Sequence, residues 1–201
     1  MKTATSLLAA ALLLTGQPSH AADAAPATAT AIFAAGCFWC VEKDFEELPG
    51  VIAAESGYTA GQKPNPSYQE VSAGYTGHTE AVRIVYDPAK VSYGKLLDHF
   101  WRNVDPTVRD RQFCDVGSQY RSGIYWQNEA ERRAAEASRD ALLASGRVKQ
   151  VYTEIAAATK FWPAEEYHQD YYKKNPLRYK IYRSGCGRDA RLADLWGNPA
   201  R

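Results

Sequence analysis

Beyond Met1 this chain of 201 residues contains no methionine, and neither charge dominates: 24 Lys and Arg stand against 23 Asp and Glu. It has no internal repeat and no apolar run of bilayer length. Balanced, interspersed charge removes the electrostatic case for a nucleic acid or an anionic membrane as partner. Compositional drift is enough to explain the missing methionine, but a protein working amid oxidants also gains from it, because methionine oxidises readily to its sulfoxide.

The start of the chain reads as a targeting segment. Met1-Lys2 is basic, Leu7 to Leu14 is all Ala and Leu, and Ser19 and Ala21 are small residues before a cut. That pattern predicts a secretory signal over residues 1–21, cleaved after Ala21, and hence an exported, periplasmic protein. The apolar run is too short for a retained membrane anchor. Residues 22–30 are small and read as a flexible tether. Residues 31–201 then form a single domain by length, large enough to bury a core without disulfide staples. Cys37, Cys40, Cys114 and Cys186 all survive cleavage. In an exported protein an even count predicts disulfides, in one of three full pairings that spacing does not choose between.

What is present is a cysteine in an unusual setting. Thr30 to Ala35 reads as a short buried strand, Gly36 as a turn, and Phe38, Val41, Phe45 and Leu48 as the apolar face of a helix stopped by Pro49-Gly50. Cys37 falls at the helix N-terminus, where unpaired N–H groups and the dipole favour a thiolate. A buried structural cysteine is the alternative. Further strands are expected over Val51 to Tyr58, Glu80 to Tyr86, Ser122 to Trp126 and Thr153 to Phe161. Helices are expected after Ser92, after Asn128 (with Glu131, closed by Gly146), and over Glu165 to Lys174. Thr107 to Gln119 is long and polar enough for a binding loop, and the Gly- and Arg-rich tail beyond Ile181 reads as loop around Cys186. Irregular alternation of strands and helices predicts an α/β (α+β) two-layer sandwich with a mixed sheet.

Glu80 enters a strand that is apolar on both faces, so its carboxyl is a candidate proton donor with a raised pKa; an ordinary strand-end carboxylate is the plainer reading. His78 sits in a turn and reads as solvated. Asp115 to Arg121 combines a carboxylate, a glycine turn, an amide and a phenol, and phenols such as Tyr68 and Tyr120 can donate to an oxygen without carrying charge. Phe161-Trp162 and Tyr167, Tyr171 and Tyr172 read as packing.

Five segments, Gly36-Cys37-Phe38-Trp39, Pro64-Asn65-Pro66-Ser67-Tyr68, Gly77-His78-Thr79-Glu80-Ala81-Val82, Gly117-Ser118-Gln119-Tyr120-Arg121-Ser122 and Lys174-Asn175-Pro176, occur in the order found in A-type peptide methionine sulfoxide reductases. The chain resembles that family from about Ala31 to Gly187. The resemblance implies a ferredoxin-like sandwich and thiol-dependent reduction of methionine S-sulfoxide, free or in proteins, with no bound cofactor or metal and an external thioredoxin-like dithiol as reductant. A chain without methionine is also no substrate for itself. By the same resemblance Cys37 is the nucleophile, Glu80 the acid, Tyr68 and Tyr120 donors to the sulfoxide oxygen, Asp115 a group that orders the pocket, and Phe38 and Trp39 the wall for the S-methyl group. Cys186 resembles a C-terminal recycling cysteine and is the favoured resolving partner. Cys40, where the family commonly has glycine, is either the first resolver or a relay, and Cys114 is structural or spare. A monomer is expected.

Four other readings compete: a zinc site on Cys37-x-x-Cys40, an exported thioredoxin-like dithiol oxidoreductase, a cysteine protease pairing Cys37 with His168, and a non-catalytic domain with all four cysteines oxidised.

Overall fold

The computed structural model describes residues 28–197. The expected signal segment and residues 22–27 of the expected tether lie outside the described residues. The elements in chain order are β1 (Ala29–Ala35), α1 (Phe38–Glu46), β2 (Val51–Thr59), α2 (Tyr68–Ser72), β3 (Thr79–Tyr86), α3 (Tyr93–Arg102), β4 (Arg111–Gln112), β5 (Asp115–Val116), β6 (Ser122–Trp126), α4 (Glu129–Ala144), β7 (Glu154–Ala157), β8 (Trp162–Pro163), α5 (Tyr171–Lys174), α6 (Pro176–Gly185) and α7 (Arg188–Trp196). Six strands form one sheet in the order β7-β6-β1-β3-β2-β8. Both β1 and β2 pair antiparallel with β3, so they run parallel to each other with β3 between them and α1 crossing over. The same relation holds for β3 and β6 across β1, with α3 in the crossover. Two such split βαβ units are the ferredoxin-like arrangement. Pairing of β7 parallel to β6, through α4, makes the sheet mixed.

Strand alternation sorts the core. Ala31, Phe33, Ala35, Val82, Ile84 and Ile124 pack on the helix side with Val41, Phe45, Leu96, Leu97 and Phe100. There Phe33 stacks on Phe45 at 5.1 Å and on Phe100 at 5.4 Å. Ile32, Ala34, Ala81 and Tyr125 face the other way, against Ala60, Ala156, Ala158 and Phe161. Ser92 and Asn128 cap α3 and α4 as the sequence predicts, each accepting from the backbone N–H three residues on.

Several expectations are corrected. Ala29 and Thr30 belong to β1, not to the tether. The expected strand from Thr153 to Phe161 is limited to Glu154–Ala157. The expected helix over Glu165 to Lys174 is only the single turn Tyr171–Lys174, because Asp170 takes a left-handed conformation (φ 53°) while its N–H bonds to Glu42 Oε1. The tail is helical, not loop: Pro176 starts α6, while Leu192 and Trp196 of α7 bury one helical turn apart against Val148.

Candidate active site

The site gathers where β1 ends and α1 begins. Gly36 adopts φ +83°, and a Cβ there would lie 2.5 Å from Gln112 Cβ, so only glycine makes this turn without displacing β4. Cys37 follows as the N-cap of α1 and its carbonyl accepts from the Cys40 and Val41 N–H groups. Continuing the β1–β3 register places Glu80 beside Ala35, at the mouth of the same helix. Phe38 N–H, the first amide after Cys37, donates to Glu80 Oε2 at 3.0 Å. Among the described residues Glu80 Oε1 has no hydrogen-bond partner, and it is not sealed from solvent.

Electrostatics separates these groups. Burial, only partly offset by the Phe38 N–H bond, pushes the Glu80 carboxyl up to about 8, and the neighbouring Asp115 and Cys40 add to the rise. Glu80 therefore carries its proton at neutral pH, as expected for a proton donor. Cys37 departs from expectation. Burial, then Cys40 and Glu80, hold its thiol well above the ordinary range. Cys40 is drawn down by a hydrogen bond from Cys37 and by the Arg188 and Arg183 guanidinium groups, against burial. The two sulfurs titrate as a pair.

Residues from three more segments close the site. Ser67 caps α2 in a reciprocal pair with Glu70, and Tyr68 N–H donates to Glu165 Oε1 at 2.8 Å. Thr79 Oγ1 donates to the Gln119 and Arg121 carbonyls, pinning the turn that carries Tyr120 against β3. Burial keeps the Tyr68 and Tyr120 phenols protonated, and ionisation of Glu80 or Cys37 would raise both further. Asp115 joins them through Tyr182, whose hydroxyl donates to Asp115 Oδ2 at 2.5 Å and interacts with the Cys37 sulfur. Phe38 is buried beside Tyr58, Tyr68 and His168. Trp39 is half-buried, stacked on Tyr171 at 3.7 Å and edge-on to Tyr182 at 5.7 Å.

Sequence reasoning missed Tyr182, Arg183 and Arg188, whereas Tyr171 packs as expected, against Trp39. A turn of helix from Tyr182 to Cys186 was the available signal for the first of the three. His78 is not solvated: it is 2% exposed, accepts from Gly61 N–H and holds the Lys63 carbonyl at 2.7 Å, which fixes the loop before Tyr68. Cys114 is not spare, because Cys114 and Cys186 form a disulfide while Cys37 and Cys40 are free. That overturns the reading in which all four cysteines are oxidised. Trp39 Nε1–H occupies His168 Nδ1 at 2.9 Å, so His168 is not the base of a Cys37 protease dyad. Both sulfurs of Cys37-x-x-Cys40 are buried, whereas a dithiol oxidoreductase must present one to a partner protein. Among the described residues no third ligating side chain joins that pair.

Comparison with known proteins agrees with this geometry. The family described as "Peptide methionine sulfoxide reductase" matches residues 29–200. Peptide methionine sulfoxide reductase MsrA 2 of Caulobacter vibrioides is 49% identical over 197 residues, covering 98% of this chain and 100% of the relative. The MsrA of Bacillus licheniformis is 49% identical over 168 residues, 83% of this chain and 93% of its own. Among solved structures, methionine sulfoxide reductase A of Corynebacterium diphtheriae superposes with a TM-score of 0.69 at 38% identity, covering 76% of this chain and 77% of its own. Reduced Mxr1 from Saccharomyces cerevisiae gives 0.70 at 30% identity, with coverage of 75% and 87%. The chain thus belongs to the peptide methionine sulfoxide reductase family, and it is an oxidoreductase that returns methionine sulfoxide to methionine by thiol chemistry.

Proposed function

We propose that the S epimer is reduced at Cys37 with Glu80 as the acid. The observation that carries this reading is the protonated, buried Glu80 carboxyl, bonded to the amide next to Cys37 and with one oxygen unpartnered. A sulfoxide oxygen leaves poorly until it is protonated, so a neutral acid beside a nucleophilic sulfur is the pair the reaction needs. Cys37 attacks the sulfoxide sulfur and passes its proton to Cys40. Glu80 delivers a proton to the oxygen, to which Tyr68 and Tyr120 donate hydrogen bonds. The protonated oxygen then transfers to the Cys37 sulfur: its bond to the substrate sulfur and the transient Cys37–substrate S–S bond both break, methionine leaves, and Cys37 is left as a sulfenic acid. Phe38 and Trp39 hold the S-methyl group, and Asp115 with Tyr182 fixes the far side of the sulfur.

Cys40 then condenses with the sulfenic acid, releasing water and forming a Cys37–Cys40 disulfide. Its nearness to Cys37, while Cys186 is bonded elsewhere, favours it as first resolver over Cys186. A thioredoxin-fold dithiol is the final reductant. Mxr1 from Saccharomyces cerevisiae has been solved in complex with Trx2, and a buried sulfur cycle needs such a donor. The N-terminal signal pattern supports a periplasmic location, where the reductant must be kept reduced against an oxidising compartment. N-terminal sequencing of protein recovered from that compartment should begin at Ala22, and an uncleaved cytoplasmic product would overturn the location.

Turnover of separated sulfoxide epimers with dithiothreitol tests the chemistry. Methionine should come from the S epimer only and vanish in Cys37→Ser. Reduction of the R epimer, or activity retained in Cys37→Ser, would overturn the assignment.

A further inference from the structure

The molecule holds two cysteine pairs, and only one of them has a third donor beside it. Among the described residues, no further ligating side chain joins Cys37 and Cys40, both of which are buried. Cys114, Asp115 and Cys186, in contrast, bring two sulfurs and a carboxylate within 4.8 Å of one another. Asp115 Oδ1 lies 3.8 Å from Cys114 Sγ, and Asp115 Oδ2 lies 4.0 Å from Cys186 Sγ. The donors come from distant parts of the chain. Cys114 and Asp115 sit where β4 turns into β5, and Cys186 at the corner between α6 and α7, 72 residues beyond Cys114. Cys114 is exposed while Asp115 and Cys186 are half-buried, so an ion from solvent can reach all three.

Both kinds of donor are already oriented by outer bonds. Cys114 N–H donates to Cys186 Sγ at 3.2 Å, a contact that favours a thiolate there. Tyr182 hydroxyl donates to Asp115 Oδ2 at 2.5 Å, which fixes the carboxylate and leaves Oδ1 for another partner. Bonds of this sort hold the ligands of metal centres in place. In the disulfide the two sulfurs are not thiolates. Once reduced, they need to part to about 3.7 Å, the separation in a tetrahedral site with metal–sulfur bonds of about 2.3 Å. The sulfur–oxygen distances already lie close to the edge of about 3.6 Å that such a site requires. Gly185 and Gly187 flank Cys186, and a Cβ on either would meet nothing within 4 Å, so the corner has room for this adjustment.

We propose that Cys114 and Cys186, when reduced, form a zinc site with Asp115. Two thiolates select against magnesium and calcium, which take oxygen donors, and a carboxylate beside them suits Zn²⁺ better than Cu⁺. Each cysteine supplies one sulfur and Asp115 one oxygen, and the fourth position is left to water from the exposed side. An external dithiol first gives two electrons to the Cys114–Cys186 bond and is itself oxidised to a disulfide. Zn²⁺ then displaces the two thiol protons without changing its own oxidation state. The bound ion holds both sulfurs as thiolates and shields them from reoxidation, and Tyr182 keeps its bond to the same carboxylate. Oxidation of the pair removes two of the three ligands and expels the ion.

Cobalt(II) is the probe, because thiolate coordination gives it a charge-transfer band that zinc abolishes on displacing it. Protein reduced with a phosphine, then freed of it under anaerobic conditions, should bind one equivalent of cobalt and release about two protons per ion. Unreduced protein should give no such band, although its Cys37 and Cys40 are free. Cys114→Ser should lose the band, and Asp115→Asn should weaken binding by more than about tenfold, the least that loss of an outer-shell partner costs. No cobalt bound by the reduced protein overturns the site. A band in the unreduced protein, or one retained by Cys114→Ser, puts the ion on the buried pair and also overturns it. Unchanged affinity in Asp115→Asn overturns the three-ligand assignment.

Discussion

Glu80 and Glu42 are both glutamates, both almost fully buried, and both pushed up by burial, to about 8 and about 7. Their surroundings differ in one respect. Glu42 has a partner on each oxygen: Ser56 Oγ–H donates to Oε2 and Asp170 N–H to Oε1, both at 2.9 Å. Glu80 has Phe38 N–H on one oxygen and an unpartnered second oxygen beside two phenols and a thiol. A raised pKa marks burial and is common to both. An unsatisfied oxygen in a protonated acid marks a place where a substrate atom can be received. Glu42 ties α1 to β2 and to the segment before α5, whereas Glu80 leaves one hydrogen bond for the reaction to complete.

The largest effect that tests this contrast is Glu80→Gln. The amide can still accept from Phe38 N–H, but it has no acidic proton, so kcat/KM for methionine S-sulfoxide should fall by about 10²–10⁴. A loss below tenfold in a stopped single-turnover assay would remove Glu80 from the role of acid. Wild-type turnover should also fall as pH rises through about 8, because the active form is the protonated one. The same variant sharpens the comparison through stability. The folded-state pKa of Glu80 is raised above its ordinary 4.5, so its contribution is fully present below 4.5 and lost as pH rises through about 8. Denaturant unfolding should show the wild type losing stability across that window, with Glu80→Gln on the order of a few kcal/mol flatter at the alkaline end. Parallel curves for the two proteins would show that the carboxyl ionises freely.

Glu42→Ala breaks the other half of the comparison. It strands Ser56 Oγ and Asp170 N–H in the interior, costing about 1–3 kcal/mol in unfolding free energy. Turnover by the remaining folded protein should change less than about twofold, since no reacting atom is touched. A drop in kcat as large as that of Glu80→Gln would mean that burial alone, and not the vacant oxygen, identifies the acid.

Which parts of this were legible in the sequence follows from the range of the interactions. Cys37 at a strand–glycine–helix turn is set by neighbours a few residues away, so local pattern points to it, whereas Glu80 reads more plainly as a strand-end carboxylate and is singled out by the family resemblance. The sign of the Cys37 shift was not legible, because the opposing influences, Cys40 below it and Glu80 from β3, depend on packing that periodicity does not encode. Arg183 and Arg188 were invisible for a related reason. A charged side chain in a Gly- and Arg-rich tail reads as surface, yet Arg188 is 2% exposed, bonded to the Ala35 and Asn103 carbonyls and lying over the Phe113 ring. The Cys114–Cys186 bond spans 72 residues, and no local signal selects it from the three pairings. Leu192, Leu195 and Trp196 did carry a helical spacing that could have identified α7.

His168 combines both cases in one ring. Its Nδ1 is satisfied by Trp39 Nε1–H at 2.9 Å, as the Glu42 oxygens are satisfied, which places the ring proton on Nε2. Nε2 is buried with no partner among the described residues. Burial draws the imidazole down to about 4, so it is neutral at working pH and cannot serve as a proton donor of the Glu80 kind. Trp39→Phe isolates the satisfied side: the hydrogen bond goes, while an aromatic face stays against Tyr171. The expected cost is about 0.5–1.5 kcal/mol of stability, with a rise in KM of no more than a few fold and kcat unchanged, because Trp39 serves as wall and not as acid or nucleophile. A fall in kcat with KM constant would instead place the Trp39–His168 hydrogen bond in the transition state, and the vacant Nε2 would then have to be counted with the open oxygen of Glu80.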